Sequence, residues 1–121
     1  MAIDGLGQVA LKVEELPRAI AFYRDVLGLP FLFETNGMAF FDCGGTRLLL
    51  GEPEGHEDHA TSILYYRVTD IQDEHTRLAA AGVEFAEDPR VVAELGHATL
   101  WLAFFRDSEG NMAALMSEVP T

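Results

Sequence analysis

The sequence predicts an α+β fold of two tandem βαβββ modules, whose strands form a curved eight-stranded sheet around a cavity. The first observation is a strand, a helix and a glycine stop over residues 8–29. The second is that the same pattern returns about 55 residues later, over residues 63–83. The third is that strand-like segments follow each helix, and that Ala39-Phe-Phe41 returns there as Ala103-Phe-Phe105.

The first module, residues 1–50, opens with a strand at residues 8–13, where apolar and polar residues alternate. A helix follows, because Leu16, Ile20, Tyr23 and Leu27 recur at spacings of four, three and four. Gly28 ends this helix in the left-handed conformation that glycine adopts without strain. Three strands are then predicted at residues 31–34, 37–42 and 46–50, with Gly44-Gly45 as the turn between the last two.

Residues 51–60 carry glycine, proline and four acids without apolar periodicity, so they are predicted to be a surface linker. The second module, residues 61–121, repeats the strand and then a helix that starts after Asp70 as N-cap and stops at Gly82. Its last three strands are predicted at residues 83–86, 97–106 and 111–116. One helix covers only one face of a four-stranded sheet, so the two uncovered faces are expected to enclose the cavity of a single domain, residues 1–121.

Composition limits the partners of the protein. Twenty acidic residues against eight basic ones give a net charge of −12, and Lys12 is the only lysine. Such a surface repels nucleic-acid phosphates and anionic membranes, and it would attract a cationic small molecule. No apolar run approaches the length of a membrane helix, the chain does not open with a basic-then-apolar signal, and Cys43 is the only cysteine. We therefore expect a cytoplasmic protein that binds neither nucleic acid nor membrane.

Two motifs resemble the vicinal oxygen chelate superfamily, which includes glyoxalase I, extradiol dioxygenases, fosfomycin-resistance enzymes and bleomycin-resistance proteins. They are Arg18-Ala-Ile-Ala-Phe-Tyr-Arg-Asp-Val-Leu-Gly28, and Asp107-Ser-Glu-Gly-Asn111 in place of the usual D-P-D-G-N. The resemblance covers nearly the whole chain. It implies the glyoxalase/bleomycin-resistance fold and a homodimer, and the chain is closest in type to the metal-free bleomycin-resistance-like binding proteins.

The resemblance also implies where a metal would bind, because enzymes of this superfamily hold a divalent ion with up to four His, Gln or Glu side chains. Those positions map onto Gln8, Leu49, Ile63 and Ala114. Only Gln8 can coordinate a metal, and one neutral amide does not hold a divalent ion. We therefore predict no metal and no other cofactor.

Strand alternation predicts an apolar cavity with few polar groups. In the strand that begins at His97, this alternation predicts that Leu100, Leu102 and Phe104 face the helix. Trp101 and Phe105 are then predicted to face the cavity. The predicted ligand-binding residues are Gln8, Phe41, Arg47, Leu49, Tyr65, His97, Trp101, Phe105, Ala114 and Met116.

Three of these residues have alternative interpretations. In the functional interpretation, Trp101 stacks on a planar or cationic ligand, and His97 forms a hydrogen bond to it or shuttles a proton. In the structural interpretation, Trp101 belongs to the core and His97 is a histidine at the end of a strand. Arg47 clamps a carboxylate or phosphate, or it forms an ion pair with one of the many acids.

The other candidates are expected to be structural. His56 and His59 fall in the acidic linker, so solvation is favoured over metal binding. His75 has a core-facing position on its helix, and Cys43 is expected to be an inert thiol.

The leading hypothesis is a metal-free protein that sequesters a hydrophobic, aromatic or cationic compound such as an antibiotic, and confers resistance by binding it. No catalytic residue is predicted in that case. The alternative is a metal-dependent lyase or isomerase of the glyoxalase or epimerase type. A third possibility is metal-free acid–base catalysis by His97, with Arg47 binding an anionic substrate.

Overall fold

The computed structural model describes residues 5–51 and 62–121. The chain divides into two compact units, Met1–Ser62 and Ile63–Thr121. Each unit has the order βαβββ, as the repeat predicts, and each has a four-stranded sheet. The first-unit elements are β1 (Gln8–Lys12), α1 (Leu16–Ala21), β2 (Phe31–Thr35), β3 (Met38–Cys43) and β4 (Thr46–Gly51). The second-unit elements are β5 (Leu64–Arg67), α2 (Ile71–Ala80), β6 (Arg90–Glu94), β7 (Ala98–Arg106) and β8 (Met112–Pro120).

The two sheets have the same topology, which confirms the duplication. Their strand orders are β1-β4-β3-β2 and β5-β8-β7-β6, and the first pair of each order is parallel. Even the hydrogen bond that follows the first strand is repeated. Val13 N donates to Gly51 O and Val68 N donates to Met116 O, both at 2.9 Å.

In the first unit, α1 continues as a π-helical turn over Phe22–Val26 and covers one face of the sheet. The predicted apolar positions Leu16, Ile20 and Tyr23 are all buried. The ring of Tyr23 lies 6.1 Å from that of Phe41, which is fully buried. The core of this unit therefore lies between the helix and the side of the sheet that carries Phe41.

The turns of this unit use glycine where the backbone needs it. Gly28 has φ +81°, which ends the helical segment as predicted. Gly44 and Gly45 both have positive φ and join β3 to β4 as a two-residue hairpin, with Cys43 paired to Thr46. This turn fixes the register of β3 against β4.

In the second unit, α2 begins at its predicted cap, where the Asp70 side chain accepts from Asp73 N at 3.1 Å. Ile71 and Leu78 bury the helix against the sheet, and His75 is half-buried as expected. The ring of His75 lies 4.3 Å from that of Phe85, which in turn lies 5.6 Å from Phe105. This chain of contacts marks the helix-covered face of the second sheet.

The motif at residues 107–111 is a structural turn. Asp107 is buried, and its Oδ1 accepts from Glu109 N at 2.9 Å and from Asn111 N at 2.8 Å. Gly110 has φ +83°, and the Asn111 amide donates to Asp107 Oδ2 at 3.2 Å. The residues that carry the resemblance in this half therefore hold β7 and β8 together.

One predicted strand is misplaced and another is shorter than the observed strand. The strand predicted at residues 83–86 is reduced to a single bridge between Phe85 and Phe105, and β6 lies later, at Arg90–Glu94. The strand predicted at residues 111–116 runs on to Pro120 as β8, because it pairs with β7 along its whole length. His97 lies just outside β7, which begins at Ala98.

The predicted faces of β7 and of Phe41 are also wrong. Phe105 packs on the helix-covered side and is 1% exposed, whereas Phe104 pairs with Ala114 and contacts Tyr65 on the opposite side. Trp101 shares the face of Phe105. Both faces of β7 are apolar, so alternation alone does not show which face packs against the helix. Reversing the assignment places every side chain of the strand on the opposite face.

Candidate functional site: the open face of the first sheet

The face of the first sheet opposite α1 presents a polar row beside an aromatic row. Backbone pairing places Gln8 beside Arg47 across the parallel strands β1 and β4, and Arg47 beside Asp42. The next row on this face consists of Ala10, Leu49, Phe40 and Phe33. Gln8, Arg47 and Leu49 therefore share the face that alternation predicts for them.

The side chains of Gln8 and Arg47 are bonded directly. Arg47 Nε donates to Gln8 Oε1 at 2.8 Å, between residues 39 apart in the sequence. A guanidinium offers five N–H donors in a planar fork, and this bond uses only one of them. The contact therefore orients the guanidinium and leaves its terminal nitrogens for other acceptors.

Arg47 also stacks on an aromatic pair. Its Cζ lies 5.3 Å from the centre of the Phe40 ring, a distance at which a cation and a ring attract each other. Phe33 stacks on Phe40 at 4.5 Å with an interplanar angle of 24°. Phe33 remains 45% exposed, so the pair offers an accessible aromatic surface beside the cation.

No carboxylate in residues 5–51 or 62–121 forms an ion pair with Arg47. The neighbouring Asp42 is engaged by the hairpin, because its Oδ1 accepts from Gly45 N at 3.0 Å. Within the described chain, the alternative interpretation of Arg47 as a member of a surface ion pair is therefore not supported.

The donor set at the mapped metal positions does not fit a divalent ion. The only ligating atom, Gln8 Oε1, already accepts from a cation, and bringing a second cation to it costs electrostatic energy. Leu49 and Ala114 are apolar, and Ile63 is a 43% exposed apolar side chain. Across the described residues, no three His, Cys, Asp or Glu side chains gather closely enough to hold a metal.

The second sheet carries a related aromatic contact on its own open face. The rings of Tyr65 and Phe104 meet edge to face at 6.0 Å, and Tyr65 is 47% exposed. Ala114 pairs with both residues but is itself fully buried. Met116 follows two residues later on the same face and is half-buried. Tyr65 and Met116 thus lie on the predicted face, while Ala114 offers no accessible surface.

His97 lies in an open setting. Its side chain is 76% exposed, and Nε2 lies 3.7 Å from Glu118 Oε1. No enclosed pair of acid and base forms around it in the described chain. This geometry favours the interpretation of His97 as a strand-end histidine.

The remaining candidates are placed as follows. Burial, and then the negative charge of Asp42, raise the pKa of the Cys43 thiol, which agrees with an inert cysteine. His56 and His59 lie outside the described residues.

The sequence interpretation missed Phe33, Phe40 and Phe104 as open-face residues. For Phe40 a signal was present, because a two-residue turn at Gly44-Gly45 pairs Cys43 with Thr46 and thereby Phe40 with Leu49. Phe33 has no such signal, because an irregularity between Phe31 and Phe33 shifts the register of β2.

Comparison with known proteins identifies the family. Residues 5–115 match the model of the Glyoxalase/Bleomycin resistance protein/Dioxygenase superfamily. The chain belongs to this superfamily.

Individual relatives agree with the fold and differ in what their names describe. The structure of lactoylglutathione lyase from Agrobacterium tumefaciens superposes with a TM-score of 0.80 at 23% sequence identity. The match covers 95% of this chain and 94% of the lyase chain. A superfamily member from Sphaerobacter thermophilus gives 0.82 at 21% identity, over 98% of this chain and 100% of that one. At these identities the likeness shows the fold alone.

Sequence relatives are more restricted. The metallothiol transferase FosB of Staphylococcus haemolyticus is 38% identical over 50 residues, which is 41% of this chain and 36% of FosB. The chain therefore matches only about a third of the length of that relative. The uncharacterized protein YraH of Bacillus subtilis is 29% identical over 120 residues, covering 87% of this chain and 91% of YraH.

Proposed function

We propose that this protein binds a small aromatic compound without a metal and without chemical change, as a sequestering protein. One observation carries the proposal: the hydrogen bond of 2.8 Å from Arg47 Nε to Gln8 Oε1. This bond holds the positive charge of Arg47 against Gln8 Oε1. That oxygen is the one atom at the mapped metal positions that could ligate a metal.

Electrostatics explain why this contact matters. A divalent ion at Gln8 would need anionic or imidazole ligands to replace its water shell, and the mapped positions offer Leu49 and Ala114 instead. It would also meet the guanidinium charge at close range. Metal binding would therefore require Arg47 to move away and other ligands to be found.

The aromatic groups supply the means of binding. Phe33 and Phe40 form a stacked surface on the first sheet, and Tyr65 with Phe104 forms an edge-to-face pair on the second. Rings such as these bind planar molecules by burial and stacking. Superfamily membership supports extending the proposal to the sequestering of a toxic compound such as an antibiotic. The cavity that was predicted between the two halves stays a prediction.

A metal-dependent lyase, isomerase or transferase is the second candidate. The 50-residue similarity to a protein named metallothiol transferase favours it, and so does the superfamily as a whole. It requires metal ligands in addition to Gln8. The discriminating property is whether ligand binding needs a metal.

The proposal is tested by screening planar aromatic compounds by thermal shift, once in EDTA and once with added Mn²⁺ or Ni²⁺. We expect compounds that raise the Tm equally in both conditions. Phe40→Leu should reduce the shift, because Phe40 supports the stacked surface. Phe31→Leu is the matched control, because Phe31 pairs with Phe41 on the helix-covered row. Compounds that bind only when metal is added would favour the enzyme instead.

A homodimer is a further part of the proposal. The outer strands β2 and β6 expose apolar side chains, with Leu32 47% and Val91 45% exposed. Such surfaces are commonly covered by association. Sedimentation at micromolar concentration should give twice the mass of one chain, and a single-chain mass would contradict it.

Location stays a prediction as well. Among the described residues, neither helix has the length and hydropathy needed to cross a membrane.

A further inference from the structure

We propose that the compound bound at the open face of the first sheet is an aromatic carboxylate, and that Arg47 binds its carboxylate group. This inference rests on the proposed function and adds the chemical class of the ligand. It differs from the expectation drawn from net charge, which favoured a cationic ligand. The group that recognises the ligand is the guanidinium of Arg47, although the whole chain carries a net charge of −12.

The first argument is the orientation of Arg47. Its Nε donates to Gln8, and within residues 5–51 and 62–121 its two terminal nitrogens donate to no protein acceptor. Those two nitrogens form one of the edges through which a guanidinium binds a carboxylate by two parallel hydrogen bonds. Gln8 thus holds the group so that its carboxylate-binding edge remains accessible.

The second argument is the contrast with the other arginines. Arg18, Arg24, Arg77 and Arg90 each form an ion pair with a carboxylate, at 2.6–2.9 Å. Arg106 donates to Gly110 O. Within the described residues, Arg67 forms no ion pair and no side-chain contact that would hold it in one orientation. Arg47 is different because a neutral amide and a ring hold it in place without neutralising its charge.

The third argument concerns Asp42, the acid nearest in register to Arg47. Its carboxylate caps the hairpin at Gly45 N instead of meeting the guanidinium. No carboxylate in the described residues pairs with Arg47, so this exposed and oriented cation on a sheet is suited to an anion from outside.

The fourth argument is the aromatic surface beside the cation. Arg47 lies over Phe40, and Phe33 continues the stack with 45% of its surface exposed. Phe40 lies on β3, between Phe33 on β2 and Arg47 on β4, so a ring that lies across both phenylalanines has one end toward the guanidinium. An aromatic carboxylate satisfies both groups at once, because its ring stacks while its two oxygens accept from Arg47.

The test is calorimetric titration with 1-naphthoate and with 1-naphthamide, which shares the ring but lacks the charge. Both are titrated in EDTA into the wild type, Arg47→Gln and Arg24→Gln. Arg24→Gln is the matched control, because it removes the same charge from an exposed arginine that is paired with Asp25 on the helix. We expect wild type to bind 1-naphthoate at least about tenfold more tightly than 1-naphthamide, as a charged hydrogen-bonded pair requires.

Arg47→Gln should abolish that preference and Arg24→Gln should retain it. Arg47→Lys, which keeps the charge but loses the planar fork, should show a reduced preference. Equal binding of both compounds by wild type and Arg47→Gln would overturn the inference and leave the metal-free binding proposal standing. Failure of wild type to bind 1-naphthoate would also overturn it. Binding of 1-naphthoate only after Mn²⁺ or Ni²⁺ is added would overturn both proposals.

Discussion

Arg47 and Gln8 are joined side chain to side chain across the parallel strands β4 and β1, with Nε donating to Oε1 at 2.8 Å. Both residues are exposed on the face of the first sheet opposite α1. Gln8 is the position at which the superfamily resemblance places a metal ligand. Its side-chain oxygen is instead bonded to the positively charged Arg47. We propose that this surface binds an anion and not a metal.

The face assignment of β7 predicts unequal effects of two adjacent substitutions. Phe105→Ala should lower the free energy of unfolding by about 3–5 kcal/mol, because it removes a buried ring that contacts Phe85. Phe104→Ala, which removes the half-buried ring on the opposite face, should cost less and should weaken ligand binding at the second sheet. Urea unfolding measures both variants. A larger loss for Phe104→Ala would mean that the faces are reversed.

The turn at residues 107–111 should depend on the carboxylate of Asp107. Asp107→Ala leaves two backbone N–H groups without their acceptor, at a cost of about 2–3 kcal/mol. Asp107→Asn keeps an acceptor oxygen and should recover much of that loss. Ser108→Ala is the control, because its hydroxyl donates only to Glu109. Equal stability of Asp107→Ala and wild type in urea would contradict this role.

The ion pair on α2 should give a small pH-dependent stabilisation. The hydrogen bond from Arg77 lowers the pKa of Glu74, so the folded state favours the carboxylate. The stabilisation is therefore present at neutral pH and is lost as the pH falls through the lowered pKa. Its size should be about 0.5 kcal/mol or less, because both side chains remain partly exposed.

Glu74→Gln should accordingly be less stable than wild type at pH 7, and the difference should close below about pH 4. Arg77→Gln should show the same dependence. Urea unfolding between pH 3 and 7 measures it. A difference that persists unchanged at low pH would show that the pair does not act through the charge of Glu74.

Cys43 should react slowly. Burial and the charge of Asp42 raise the pKa of its thiol, so less thiolate is present at neutral pH than in a free cysteine. Alkylation by iodoacetamide at pH 7.5 should be slower than for the urea-unfolded chain. Asp42→Asn should increase the rate modestly. A native rate equal to the unfolded rate would contradict an inert cysteine.

Much of the fold follows from local signals in the sequence. The helix periodicity from Leu16 and the stop at Gly28 predict α1, and Gly44-Gly45 predicts the hairpin. The duplication predicts the shared topology, because equal segments bury equal faces. These features depend on neighbours within a few residues, which the sequence displays directly.

The errors arise where the information is not local. Val83 and Phe85 have strand-forming side chains, yet β6 lies after Pro89, where it can pair with β7. Leu102 and Ala103 are both apolar, so only packing against α2 decides which face of β7 is covered. Propensity and alternation do not contain that decision.

The candidate site was predicted in part for the same reason. Alternation places Gln8 and Arg47 on one face, but their contact depends on the parallel register of β1 and β4. A helix and two strands separate them in the chain. The aromatic surface at Phe33 depends on the irregular register of β2, which the sequence does not signal.

The most direct test of the central claim is calorimetric titration of Ni²⁺, Mn²⁺, Zn²⁺ and Fe²⁺ into EDTA-treated wild-type protein, with metal analysis of the protein as purified. The account predicts no stoichiometric metal and no binding heat, because Arg47 holds the oxygen of Gln8 and the other mapped positions are apolar. One tightly bound equivalent per chain, weakened by Gln8→Ala, would contradict it.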